Sequence, residues 1–134
     1  MNSNLKNSLF ILKLGVLAVL VMWNVDKYVN PEHTAGVFSR FYLVSSLNLN
    51  MSYIIGGLQS IVLLMFTFGM YKKFSYGLVF VMHLISTLST WEMYLDPWGP
   101  RNLLFFAAWP MLAATWVLFK HRDEDTVLNL GKKA

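Results

Sequence analysis

Four long apolar runs organise the chain, at about Ser8 to Tyr28, Met51 to Tyr71, Phe74 to Tyr94 and Arg101 to Phe119, with short polar segments between them. Each run is close to the roughly 20 residues that an α-helix needs to cross about 30 Å of hydrocarbon. The pattern predicts an all-α integral membrane protein, a four-helix bundle forming a single transmembrane domain over residues 1–134. Lys13 interrupts the first run near its start, where a lysine can snorkel toward the headgroups. The run continues through Met22-Trp23-Asn24 into Asp26-Lys27 without an Ala-x-Ala cleavage pattern, so it is expected to be retained and not removed as a signal peptide.

The connections carry their own signals. Asn30-Pro31-Glu32 reads as a helix N-cap, a proline at the first helical position and an acid in the first turn, opening a segment to about Ser45. Val37, Phe38, Phe41 and Tyr42 fall on one face of it, with Ser39 and Arg40 outside the stripe. Two readings fit: a short helix in the membrane interface, or an ordered loop packed over the bundle end. Lys72-Lys73 reads as one tight turn and Leu95-Asp96-Pro97-Trp98-Gly99-Pro100 as another. Gly56-Gly57 should let a neighbouring helix approach the second span closely, and Pro110 should kink the fourth near its middle.

Composition agrees with this pattern. Among 134 residues 56% are hydrophobic and only 13% charged, about half the usual soluble share of charge, and the mean hydropathy is +0.48. Lys6, Lys13, Lys72, Lys73, Lys120, Arg122, Lys132 and Lys133 fall on one side, against Lys27, Arg40 and Arg101 on the other, eight against three. Basic residues favour the inner side, so both termini are expected in the cytoplasm of a bacterial inner membrane. The net charge is +4, but these residues sit at span ends and form no basic patch, so nucleic acid is not an expected partner. Without cysteine the chain has no disulfide or thiol relay of its own. The tail from His121 onward, with Asp123-Glu124-Asp125, reads as a solvated end.

Few residues can carry chemistry. His83 falls near the middle of the third run, where an ionisable group is costly and tends to face the bundle interior. At helical spacing Ser86, Thr87, Thr90 and Tyr94 share its face, a polar stripe from mid-membrane to the outer surface. It can bond a quinone headgroup or relay a proton; equally, a neutral His83 can simply tie two helices together. A bis-histidine haem is not expected, because His33 and His121 lie outside the spans. At the outer end Trp23, Asp26 and Lys27 are expected near the end of the third span and Arg101, pinning the bundle or orienting a ligand. Glu92 and Asp96 belong to the same outer surface, but Glu92 falls on the helix side opposite His83. Tyr71, Tyr76, Trp91, Tyr94 and Trp98 read as interfacial anchors, and Gln59 as a hydrogen-bonding partner for the third helix. The methionines are scattered, and no metal site is expected.

The chain also resembles the DoxX-like family of small four-helix membrane proteins. Lys13-Leu14-Gly15, Trp23-Asn24, Lys27, Pro31 and Phe38 are similar in order and spacing to that family's first helix and the segment after it. Gly56-Gly57-Leu58 and Phe68-Gly69-Met70-Tyr71-Lys72-Lys73 look like its second helix with a basic exit. The likeness covers the first half of the chain. It implies a bundle associated with quinone-linked or thiol-linked oxidoreductase complexes, with Lys27 and Pro31 as structural counterparts. This sequence departs in having no cysteine, which excludes the thiol-relay version, and in having Ser52-Tyr53 where an acid is often found.

The expectation is therefore a non-catalytic membrane subunit or scaffold of an oxidoreductase or other envelope complex, with protein partners, the lipid bilayer around it, and a quinone or lipid pocket near the outer face. The alternative is a small transporter or proton-conducting protein using His83, which can titrate near neutral pH. No nucleophile and base arrangement points to an enzyme.

Overall fold

The computed structural model describes residues 2–44 and 48–131, all helix or connection without a strand. Ser45, at the end of the segment expected to follow the first span, and Lys132 and Lys133, counted for orientation, lie outside the described residues. The helices are α1 (Ser3–Val29), α2 (Pro31–Phe41), α3 (Leu49–Thr67), α4 (Lys72–Ser89), α5 (Trp91–Leu95) and α6 (Ala108–Lys120), the last preceded by a 3-10 stretch over Asn102–Ala107.

Three stretches are long and apolar enough to cross a membrane: Ser3–Val29, Leu49–Thr67 and Asn102–Lys120. These are the dimensions of a membrane protein. The third expected span, α4, has the length at 18 residues but is less apolar, since it carries Lys72, Lys73, His83 and a row of hydroxyls. Its polarity points inward. Ser75, Tyr76, His83 and Thr87 are buried, whereas Phe74, Val81, Ile85 and Leu88 are exposed.

The longer helices pack in a ring, α1 on α3, α3 on α4, α4 on α6 and α6 back on α1. Consecutive members run antiparallel, as short connections require. The α1–α3 contact relies on Gly56, where an added Cβ would lie 3.0 Å from Tyr28 Cζ and 3.3 Å from Lys27 Cβ. Asn24 closes this seam by donating to the Gly56 carbonyl at 2.9 Å, and Ser60 donates to Asn24 at 2.7 Å. Ser60, not Gln59, takes the polar contact that α3 makes here; Gln59 forms no side-chain hydrogen bond among the described residues. Leu9, Leu17, Leu63, Phe66, Val79 and Leu118 belong to the apolar core.

Several local expectations are corrected. Lys72 and Lys73 do not form the second turn but open α4; the chain reverses over Phe68–Tyr71, where Gly69 (φ 64°) and Tyr71 (φ 47°) adopt left-handed backbone. The third run is not continuous, because the helix breaks at Thr90 between α4 and α5. Pro110 does not kink a helix near its middle. It lies in the first turn of α6, where its missing N–H has no partner to lose, and the irregular part of this segment is the 3-10 stretch before it. Asn30 stands at the N-cap of α2 but makes no side-chain cap bond; its amide donates to Asp26 at 3.2 Å. α2 itself is a helix packed against α1 and α3, with Phe41 6.0 Å from Phe105 across the end of the ring.

The largest difference is the tail. The segment after α6 is not a solvated end, for it folds back across the end of the ring where α3 passes to α4. Leu130 N–H donates to the Phe68 carbonyl at 2.8 Å, and Asp125 is fully buried.

Candidate functional site

Two polar features lie inside this helical frame, one at each end. The first is a cleft of about 730 Å3 between α1, α4, the 3-10 stretch and α6, within the roughly 300–1,000 Å3 usual for small-molecule sites. Its walls are mainly aliphatic and aromatic, including Leu12, Val16, Val19, Phe105 and Met111, and His83, Ser86, Thr90, Trp23 and Arg101 stand among them. It opens sideways, since the wall residues Ile11 and Leu104 are 68% and 75% exposed on the surface that the apolar helices present to lipid.

His83 is buried on the α4 wall, its ring 6.2 Å from Trp23. Its Nε2 lies 3.1 Å from the Ala108 carbonyl. A carbonyl only accepts, so Nε2 carries the proton and Nδ1, which is buried without a partner, presents a lone pair. The rest of the expected stripe is largely occupied with its own backbone. Thr87 donates to the His83 carbonyl at 2.7 Å, and Tyr94 donates to the Thr87 carbonyl at 2.9 Å while touching Thr90 Oγ1 at 2.9 Å. The Thr87 carbonyl is among those freed by the helix break at Thr90, and the Tyr94 hydroxyl satisfies it. His83, Ser86 and Thr90 reach the cleft, whereas Thr87 and Tyr94 are not part of its wall.

The expected outer cluster is only partly assembled. Trp23 and Arg101 both line the cleft. Asp26 pairs with His33 at 2.5 Å and with Asn30, and Lys27 donates to the Trp23 carbonyl at 3.2 Å. Glu92 and Asp96 are exposed and belong to neither group. Among the described residues no ion pair joins Lys27 or Arg101 to any acid, and no group of three His, Asp or Glu has a metal-binding arrangement.

The second feature was not anticipated from the sequence. Lys13 does not snorkel to the surface: its Nζ lies 2.8 Å from Asp125 Oδ2, with both side chains 0% exposed. Tyr76 is not an interfacial anchor, because its hydroxyl donates to the same Asp125 oxygen and accepts from Lys13 at 3.2 Å. Lys72 donates to the Asp125 backbone carbonyl at 2.7 Å. The available signal was the depth of Lys13: a lysine about three turns inside an apolar helix calls for a counter-ion.

The arrangement defines a helical membrane protein with a lipid-accessible apolar cleft and a buried ion pair holding its tail. No family model matches the chain, and neither a curated protein nor a solved structure matches it.

Proposed function

We propose that the chain crosses the bacterial inner membrane four times, with both termini in the cytoplasm, and serves as a non-catalytic subunit or scaffold of an oxidoreductase or other envelope complex that holds a quinone or lipid near the outer face. The cleft between α1, α4 and α6 carries this reading: a large apolar recess, open toward lipid, with a small set of polar groups along one side. The exposed apolar stripe of α4 supports the fourth crossing, since Phe74, Val81, Ile85 and Leu88 recur at helical spacing around a buried polar face. The resemblance to DoxX-like proteins supports the association with a quinone-linked complex; the absence of cysteine sets aside its thiol-linked form.

Proton conduction through His83 is the weaker reading. Between His83 and the polar cluster at Tyr76, the inward face of α4 presents buried Val79, and α1 presents Val16, Leu17 and Leu20 between Lys13 and Asn24. None of these four side chains can carry a proton, and the buried Thr115 hydroxyl of α6 is donated to the Leu112 carbonyl at 2.8 Å.

Mild detergent extraction of the tagged protein from its native membrane, followed by mass spectrometry of proteins and lipids, tests the proposal. A defined larger complex with a quinone or lipid retained is expected; recovery of the chain alone and empty overturns it. For the topology, a reporter fused after Ala134 should be active in the cytoplasm and one inserted at Asn48 outside. The reverse pattern overturns the orientation.

A further inference from the structure

Resting on the reading of the cleft as a ligand site, the chemistry of its wall narrows the occupant. Two donors along the polar side are committed: His83 Nε2–H to the Ala108 carbonyl, and Thr90 to the Tyr94 hydroxyl or a carbonyl of its own helix. A carbonyl headgroup seated beside them is left the Ser86 hydroxyl and the Trp23 indole N–H, both neutral donors. The charged donor is Arg101, a residue of the cleft wall whose guanidinium is paired with no acid among the described residues.

The cleft also has a direction. It runs along α1 from Trp23 to Ile11, twelve residues or about 18 Å of helix, with its charged group at the Trp23 end and aliphatic walls elsewhere. The exposed wall residues Ile11 and Leu104 leave a side opening through which a chain can slide in from the bilayer. A carboxylate or phosphate accepts the fork of an arginine better than any neutral headgroup does.

We infer that the cleft binds an anionic lipid, with one acyl chain lying along α1 and its carboxylate or phosphate held by Arg101 at the outer mouth. The polar groups deeper in the wall serve the fold and leave the chain in an apolar slot.

Gly15 gives a clean way to block it. It lines the cleft, and a Cβ added there meets no atom within 4 Å, so the backbone has room for a side chain and Gly15→Leu should extend into the slot. The probe is stearic acid carrying a nitroxide on its chain. It is titrated at pH 8 against a variant that keeps Trp23 while Trp91, Trp98, Trp109 and Trp116 are changed to Phe, in phosphatidylcholine nanodiscs, with its methyl ester and decylbenzoquinone titrated in parallel. The acid is expected to quench Trp23 saturably and to bind about fivefold more tightly than the ester, the scale of one partly exposed ion pair. Arg101→Gln should bring the acid to the level of the ester, and Gly15→Leu should abolish saturable quenching by both.

Equal binding of acid and ester, insensitive to Arg101→Gln, overturns the anionic headgroup. Saturable quenching by the quinone alone overturns this inference and leaves the quinone site intact. No saturable quenching by any of the three overturns both. If the four tryptophan changes prevent folding, photocrosslinking of a diazirine-bearing stearate to the unaltered protein replaces quenching. Label on the cleft-lining segments of α1 and α6, lost in Gly15→Leu, is expected, and label scattered over all lipid-facing helices overturns the inference.

Discussion

Replacing Asp125 with Asn should release the tail and cost the protein a large part of its stability. Lys13 and Asp125 are both fully buried with their charged atoms 2.8 Å apart, a separation that corresponds to roughly 6 kcal/mol of attraction at an effective dielectric of about 20. Much of that attraction only offsets the desolvation of two ions, several kcal/mol each. Neutralising one partner removes the attraction and leaves the other ion's desolvation uncompensated. The expected loss is therefore about 3–5 kcal/mol, out of a total of about 5–15 kcal/mol for a protein of ordinary stability. The neutral amide keeps the Tyr76 contact, which places Asp125→Asn near the lower figure and Lys13→Ala, which also opens a cavity, near the upper one. Replacing both, as Lys13→Met with Asp125→Leu, should recover most of the loss, because no charge then remains buried. The assay is equilibrium unfolding in mixed micelles for a full double-mutant cycle, with limited proteolysis after His121 reporting tail docking. A coupling energy below about 0.5 kcal/mol, the level found for independent sites, together with an unchanged cleavage rate, would refute the buried-pair account.

Four further outcomes can be checked. Gly56→Val should cost about 1–3 kcal/mol in the same unfolding assay, since it overpacks a contact already at 3.0 Å; an unchanged midpoint would mean that α1 and α3 can separate freely. Asn24→Leu should cost about 1 kcal/mol for the lost interhelical hydrogen bonds, and a stabilised variant would contradict the closed seam. Tyr71→Gly should stabilise by roughly 1 kcal/mol because φ 47° suits glycine; a lower melting temperature counts against the left-handed turn. Lys72→Met should loosen the tail, since Lys72 donates to the Asp125 carbonyl at 2.7 Å; an unchanged proteolysis rate after His121 would show that this bond does not hold it.

How far residues alone reveal this molecule depends on the range of the interaction involved. The helices are readable because apolar runs act locally: α1 and α3 stand within a few residues of the Ser8–Tyr28 and Met51–Tyr71 runs. The break at Thr90 is not, because Ser86 through Tyr94 keep a helical spacing and the interruption depends on Tyr94 turning back to the Thr87 carbonyl. The 3-10 start before α6 carries no marker either. At the site, periodicity places His83, Ser86, Thr87, Thr90 and Tyr94 on one face but does not tell which hydroxyls are spent on their own helix. The association of Lys13 with Asp125 is the extreme case. Their separation is 112 residues (125 − 13), and the acidic cluster His121–Asp125 has the composition of an ordinary solvated end. Only the cost of an uncompensated lysine within α1 hints that a partner must come from elsewhere.

That separation also sets an order of events during synthesis. Lys13 leaves the ribosome with the first helix, whereas its counter-ion follows only after α6, roughly 6 to 20 seconds later at ordinary translation rates. Until then the nascent helices hold Lys13 without its Asp125 counter-ion, and that incomplete form is expected to be the one most open to the membrane's proteases. Asp125 is the second member of the buried pair to be made, so the tail can dock on Lys13 only after the helices before it have been synthesised. Chains stopped before that residue should be selectively degraded even though every apolar helix is present.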